Sequence, residues 1–280
     1  MKNLGGRTAL LTGANGGLGI HIARALAEAK MNLVLVAYPE SGLEEVRTAK
    51  ICREANVLVA DLRVPTECAR VVQYSEQLFG SVDVLVNNAG MEFTSFYHEL
   101  SEEQVQDVLT VNLVAPMLLA RRVLAGMVER KSGHIVNISS LAGKEGPACQ
   151  EPYAATKAAL TAFTFSLRAT YRGSGVSASV VCPGFVEAGI YARLKTRTRR
   201  SAPVMLAGNS PERVAQAVLR AIRQDVPELI VNRLPLRPVL ALSALSPAFG
   251  AWLTDFLGVN EFFRSVAAAE RLARDAEAVD

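Results

Sequence analysis

Residues 8–19 read Thr8-Ala9-Leu10-Leu11-Thr12-Gly13-Ala14-Asn15-Gly16-Gly17-Leu18-Gly19. A short β-rich run, Arg7–Leu11, gives way to glycines and then to a helical stretch, Leu18–Lys30. A strand, a glycine turn and a helix in the first β–α unit form the arrangement that holds a dinucleotide's pyrophosphate. Gly13 permits the tight turn, Gly17 lets the backbone approach the phosphates, and Gly19 lets helix and strand pack closely. The N–H groups that open the helix hold the anion, and Asn15 and Leu18 of the same turn count among the cofactor contacts. Glycines also make ordinary turns; the place of this run directly after the first strand selects the functional reading.

Outward from this turn, strands and helices alternate. Asn32–Ala37, Val57–Ala60, Val82–Asn87, His134–Ser139, Ser177–Cys182 and Glu228–Val231 read as strands that are apolar on both faces. Leu43–Glu54, Thr66–Phe79, Ser101–Arg130 and Tyr153–Arg172 read as helices, with Ser101 and Glu103 near a capping-box arrangement. Ser210-Pro211-Glu212 opens another helix as cap, N1 proline and first-turn acid. Right-handed crossovers then give an α/β fold: a doubly wound parallel sheet of about seven strands, followed by a helical C-terminal extension. Such sheets bind ligands at the carboxyl ends of their strands.

The bulk composition agrees. The chain has 280 residues, half of them hydrophobic, which suits one large core. No linker or repeat marks a boundary, so residues 1–233 read as a catalytic domain and 234–280 as an extension packed on it. The formal charge of +3 does not suggest a nucleic-acid binder. Cys52, Cys68, Cys149 and Cys182 are scattered and read as thiols in a reducing compartment. His21, His98 and His134 lack ligand spacing, so no metal site is expected. The start, Met1-Lys2-Asn3-Leu4, leaves no room for a signal peptide's apolar region, which predicts a cytoplasmic address. Val239–Thr254 is apolar and uncharged but falls short of the roughly 18–20 residues that span a bilayer. It reads as a pair of apolar helices.

Further residues collect at the strand ends. Asp61-Leu62 after the third strand and Asn87-Asn88-Ala89-Gly90 after the fourth suit adenine and ribose contacts. The second strand ends in Val36-Ala37-Tyr38-Pro39, which places Tyr38 beside the ribose. No acid stands there to repel a 2′-phosphate, so the choice between NADP and NAD leans to NADP. Tyr153 and Lys157 are four residues apart and share a helix face. A free tyrosine titrates near 10, and proton transfer at neutral pH asks for about 4 kcal/mol of preferential phenolate stabilisation. A lysine ammonium and a nicotinamide's positive charge are suited to supply it. Ser140, after the fifth strand, is placed to hydrogen-bond a substrate oxygen. Taken singly, each of these residues also has an ordinary structural role.

The set together resembles the classical short-chain dehydrogenase/reductase family, a Rossmann-type fold, over about residues 5–232. The matching pieces are the glycine turn, Asp61-Leu62, Asn87-Asn88-Ala89-Gly90, Asn112, the strand Ile135–Ser140, Tyr153-x-x-x-Lys157 and Pro183-Gly184. The resemblance implies Tyr153 as general acid in reduction and base in oxidation. It implies Lys157 as the residue that lowers the tyrosine pKa and binds the nicotinamide ribose. Ser140, thirteen residues before the tyrosine, orients the carbonyl, and Asn112 supports a water-linked relay to Lys157. Asn88 and Gly90 lie near the cofactor ribose and Val186 near the nicotinamide. One departure stands out: Ala188 occupies a position where the family commonly has a threonine that contacts the carboxamide.

The expected substrate is a small-molecule carbonyl or alcohol of apolar character, with a bulky lipid-like, steroid-like or aromatic carbonyl as the sharper expectation. The apolar segment Leu234–Phe263, with Leu240, Leu242, Leu245, Phe249, Trp252, Phe256, Leu257, Phe262 and Phe263, is read either as a cover that makes the pocket apolar or as packing on the sheet's outer helices. Arg193, Lys195, Arg197, Arg199 and Arg200 read first as a solvated loop, with an acidic substrate or an anionic membrane as the sharper alternative. Peripheral membrane contact is thus open but not favoured. By resemblance, pairing through the long helices Asn112–Arg130 and Tyr153–Arg172 gives a homodimer or homotetramer. The competing function is a non-catalytic dinucleotide-binding regulator or scaffold of the same fold.

Overall fold

A computed structural model describes residues 1–37, 56–203, 206 and 208–277. Tyr38 and the expected helix Leu43–Glu54 lie outside the described residues. Seven strands run β1 (Thr8–Thr12), β2 (Asn32–Ala37), β3 (Asn56–Val59), β4 (Val84–Asn87), β5 (Gly133–Ile138), β6 (Val176–Pro183) and β7 (Glu228–Val231). They form one sheet in the order β3-β2-β1-β4-β5-β6-β7, with every neighbouring pair parallel. The order reverses between β1 and β4, and at this switch point the carboxyl ends diverge to leave a crevice.

Helices cover both faces because the strands have no polar face to offer water: β1, β4 and β5 are buried throughout. On one face lie α1 (Gly17–Glu28) and, later in the chain, Pro211–Gln224. The latter turns Val214, Val218, Ala221 and Ile222 inward at helical spacing, and the Ser210 hydroxyl caps it by accepting from the Arg213 N–H. On the other face lie α2 (Pro65–Phe79) and the long run Glu102–Glu129. That run is apolar enough to cross a bilayer by composition, yet Leu119, Val123 and Met127 are buried against the sheet. Its capping box pairs Ser101 with Gln104 and not with Glu103, because the reciprocal bond requires the third residue of the helix.

The long run divides into α3 (Glu102–Leu109), a π-helical segment Thr110–Val114, and α4 (Ala115–Glu129). Pro116 accounts for the interruption. It has no N–H to give the carbonyl of Asn112, four residues back, and its ring crowds that oxygen. The remaining α-helices among the described residues are the short α5 (Ala142–Glu145), α6 (Glu151–Thr170), α7 (Gly189–Thr198), α8 (the Pro211–Gln224 helix), α9 (Arg237–Leu245), α10 (Pro247–Phe256) and α11 (Val259–Glu277).

The basic segment after β6 is therefore a helix and not a loop. Tyr191 and Leu194 lie three residues apart and bury together, while Arg193, Lys195 and Arg197 stay out. α11 brings Phe262, Phe263 and Val266 into a third core with Tyr191 and Leu194. Phe185, just beyond β6, is the hub: its ring centroid lies 5.2 Å from Tyr191, 5.5 Å from Phe262 and 5.9 Å from Phe263. Such aromatic contacts add to the burial they accompany, and here they fasten the extension beside the carboxyl edge of the sheet.

Candidate active site

At the end of β1 the chain turns through Gly13 at φ +64°. A Cβ there would stand 2.8 Å from the Ala89 Cα, so β1 and the segment after β4 meet only because Gly13 has none. A Cβ on Gly19 would fall 2.0 Å from the Gly13 carbonyl oxygen, so Gly19 lets the first helical turn fold over the glycine turn. Gly16, the N-cap of α1, brings no capping side chain, and the first turn holds no acid. These N–H groups and the helix dipole face an anion without competition from a carboxylate. Gly17 is approached from the protein itself: a Cβ on it would lie 2.5 Å from the Gly189 nitrogen, where α7 begins. Two helix N-termini therefore converge on one point. The cradle and the long cleft running from it fit a nicotinamide dinucleotide.

That cleft, of about 1210 Å³, passes Gly13, Asn15, Gly17, Leu18, Asp61, Leu62, Asn88, Gly90, Ser140, Tyr153, Lys157 and Val186. Asn112 is fully buried just behind it. Asn88 serves the turn directly: its amide nitrogen donates to the Thr12 and Gly13 carbonyls at 3.0 Å each. The Thr12 hydroxyl accepts in return from the N–H groups of Asn88 and Ala89. Asp61 is held by Arg63, which also donates to Asp107 on α3 at 2.9 Å. The guanidinium keeps the Asp61 carboxyl below its ordinary range, so an acid stands charged at this end of the cleft.

At the other end, α6 presents Tyr153 and Lys157 on one face. The Lys157 Nζ lies 5.5 Å from the Tyr153 ring centroid and donates to the Ile138 carbonyl at 3.0 Å. Burial pushes the lysine down to about 8. Burial also pushes the Tyr153 phenol up to about 12, opposed by a hydrogen bond with Ser140 and assisted by the charge of Glu92. In the protein alone the phenol is thus fully protonated at neutral pH, the state a proton donor needs. The value near 7 that acid–base exchange asks for lies on the other side of 10, because desolvation of the phenolate outweighs the hydrogen bond.

The adjacent serines separate cleanly. Ser139 is buried and donates to the Lys157 carbonyl at 2.8 Å. Ser140 accepts from the Ala142 N–H at 3.1 Å, which leaves its hydrogen to donate elsewhere. Asn112, in the π-helical segment, exchanges two bonds of 2.9 Å with the Met91 backbone. Gly90 closes the gap: a Cβ there would stand 3.5 Å from the Lys157 Nζ and 3.4 Å from the Asn112 Oδ1. Ala188 lines the cleft with a methyl group only.

Several residues at the site were not singled out from the sequence. Gln150 is buried and donates to Glu92 at 3.0 Å, and the Thr94 hydroxyl donates to the same carboxylate oxygen at 2.6 Å. Glu92 follows the Asn-Asn-Ala-Gly run by two residues and Gln150 is the N-cap of α6, so each had a local signal. Asn209 and Asn232 bond to each other at 3.0 Å beside Gly184 and carry no such signal.

The sheet and this edge together are those of a dinucleotide-binding oxidoreductase. The short chain dehydrogenase family matches residues 7–199. The chain is 39% identical to the ketoacyl reductase HetN of Nostoc sp. over 269 residues, 94% of this chain and 93% of that one. It is 33% identical to the 3-oxoacyl-[acyl-carrier-protein] reductase FabG of Vibrio cholerae, over 77% of this chain and 89% of the relative. A crystal structure of an actinorhodin polyketide ketoreductase variant with NADPH superposes with a TM-score of 0.73 at 31% identity, covering 82% of this chain and 97% of that one. The chain belongs to the short-chain dehydrogenase family and is an NAD(P)-dependent oxidoreductase of the CH–OH/C=O class.

Proposed function

We propose that the chain is an NADP-dependent ketoreductase that reduces the carbonyl of an apolar acyl or polyketide-like substrate, with Tyr153 as proton donor. The observation that carries the reading is the buried Lys157 beneath the half-buried Tyr153, with Ser140 on the same cleft that begins at the glycine turn. Ketoacyl reductases among the relatives, and solved neighbours with NADPH or NADP, support the substrate class and the cofactor. Leu141, Phe185, Leu236, Leu240, Leu257 and Phe263 along the cleft support an apolar substrate.

When bound, the nicotinamide supplies or accepts the hydride. Ser140 donates to the substrate carbonyl oxygen and so polarises it; Tyr153 gives that oxygen a proton as negative charge develops. Lys157, cationic and fixed by the Ile138 carbonyl, stabilises the phenolate left behind and binds the nicotinamide ribose. Pro116 denies the Asn112 carbonyl the N–H an α-helix would supply, and this oxygen would hold a water that returns a proton to Lys157.

The test is the loss of nicotinamide absorbance with NADPH and NADH in parallel, against ketones, aldehydes and 3-oxoacyl thioesters, repeated with Tyr153→Phe. Turnover with NADPH on the 3-oxoacyl compounds, abolished by the substitution, is the expected result. Equal turnover by Tyr153→Phe would overturn the assignment of the proton donor. Tight NADPH binding without turnover on any carbonyl would favour a dinucleotide-binding regulator.

A further inference from the structure

The helical extension has two faces of opposite use. From α9 and α10, Val239, Leu240 and Leu253 line the cleft, joined by Leu257 just beyond α10. On the outside of the same two helices Leu245 is 83% exposed, Phe256 71%, Trp252 55% and Leu242 54%. Only Ser243 of α9 and Gly250 of α10 are buried. Trp252 stacks on Phe256 with ring centroids 5.1 Å apart and lies 5.7 Å from Phe249, which makes one continuous surface. Large apolar residues exposed singly are ordinary; a contiguous set on one helical hairpin marks a contact surface.

The charges around it indicate what it contacts. α7, on the same cleft, carries Arg193, Lys195 and Arg197, followed by Arg199 and Arg200, and no acid occurs between Ala188 and Pro203. Arg193, Arg199 and Arg200 are exposed and form no ion pair among the described residues. Arg233 stands exposed at the base of the hairpin, beside Arg237, which pairs with Glu228 at 3.7 Å. Asp255, the one acid on α9 and α10, faces Arg264 at 3.9 Å. An apolar hairpin with cations at its base and on the cleft it shares with α7 matches the acyl region and anionic headgroups of a bilayer surface, and tryptophan favours that boundary.

We propose that α9–α10 docks the enzyme on an anionic lipid bilayer, with the mouth of the cleft turned towards the membrane. A second copy suits the surface less well. An isologous contact through this face would set one group of arginines against the other. A polar protein partner would find few groups to bond on the hairpin, since the Ser243 side chain is buried and the Thr254 hydroxyl already donates to the Gly250 carbonyl. The hairpin that lines the cleft on its inner side then meets lipid on its outer side, a short path for a membrane-dissolved carbonyl compound.

Trp252 is the single tryptophan of the chain and reports from the proposed contact itself. The intact protein is mixed with vesicles of phosphatidylcholine alone or with phosphatidylglycerol, and Trp252 emission, acrylamide quenching and co-sedimentation are read. Expected are a blue shift, weaker quenching and sedimentation with the anionic vesicles, each reduced by salt. Leu245→Glu with Phe256→Glu should lower the bound fraction at least about tenfold while circular dichroism and turnover of a water-soluble substrate persist. Failure to bind either vesicle would overturn the proposal, as would equal binding to neutral ones or unchanged binding by the double variant. A blue shift that follows protein concentration without lipid, with a doubled mass in ultracentrifugation, would assign the face to a second copy instead. These readouts do not depend on catalysis, so the docking surface and the proposed reaction fail separately.

Discussion

The hydroxyls of Ser139 and Ser140 serve different parts of the molecule: that of Ser139 donates to the Lys157 carbonyl at 2.8 Å, and that of Ser140 accepts from the Ala142 N–H at 3.1 Å on the cleft that Tyr153 lines. Ser139 also lies 3.1 Å from the Thr161 hydroxyl and so ties β5 to α6. Its removal leaves the Lys157 carbonyl and Thr161 with fewer partners in a buried place, at a cost of about 1–2 kcal/mol. Ser140→Ala takes away the proposed donor to the reacting oxygen and should lower kcat about 10²–10³-fold with little change in stability. Urea midpoints and single-turnover rates for the two variants should therefore move in opposite patterns. A larger loss of kcat from Ser139→Ala than from Ser140→Ala would reverse the assignment.

Gly17 and Gly189 meet where α1 and α7 begin, and a Cβ on Gly17 would come 2.5 Å from the Gly189 nitrogen. Gly17→Ala cannot be absorbed by a side chain moving aside, since the obstacle is backbone. The start of α7 must withdraw, and with it one of the two helix N-termini facing the anion site. NADPH affinity measured by calorimetry should fall at least about tenfold, the scale of losing a dipole contact in a partly buried setting. An unchanged Kd would mean that α7 contributes nothing to the cradle.

Much of this site was legible because its parts are local. The glycine turn, the four-residue spacing of Tyr153 and Lys157, and the alternation that gives the sheet all depend on neighbours within a few residues. What the sequence concealed depends on residues far apart in the chain. Nothing near Gly17 announces Gly189, and nothing near Asp61 announces that Arg63 also holds Asp107. The extension was ambiguous for another reason: between Pro238 and Thr254 no charge marks a solvent face. Leu240 and Leu242 look alike in the sequence, yet one lines the cleft and the other faces out. Phe262 and Phe263 turn inward because Phe185 and Tyr191 wait for them.

His134 is buried in β5 with its Nε2 2.9 Å from the Ser179 hydroxyl, and burial holds it down at about 4 against an ordinary 6.5. Between those values the unfolded chain binds a proton that the folded protein refuses, so stability rises with pH across this window and is lost as pH falls from 6.5 towards 4. The limit for one such group is about 1.4 kcal/mol per pH unit, or on the order of 3 kcal/mol over the window. His134→Gln removes the titration while keeping a group able to bond Ser179. Urea midpoints from pH 7 to 4 should fall less steeply for the variant. Parallel curves would show that carboxylates alone carry the acid sensitivity.

Pro116 sets stability against chemistry. Replacing it with alanine supplies the N–H that the Asn112 carbonyl lacks and relieves the ring's crowding of that oxygen. The gain is bounded above by the roughly 3 kcal/mol that an interior proline costs a helix, and reduced by up to about 1 kcal/mol because the unfolded chain becomes more flexible. The protein should become more stable by about 1–2 kcal/mol, visible as a higher Tm. The same N–H then occupies the oxygen proposed to hold the relay water, so kcat should fall by about tenfold or more while NADPH affinity stays put. Lys157 would lose its route of reprotonation, and proton transfer should become the slow step, read as a larger solvent deuterium effect. A more stable variant with wild-type kcat would show that the π-helical segment is a structural consequence of Pro116 alone and that the relay runs elsewhere.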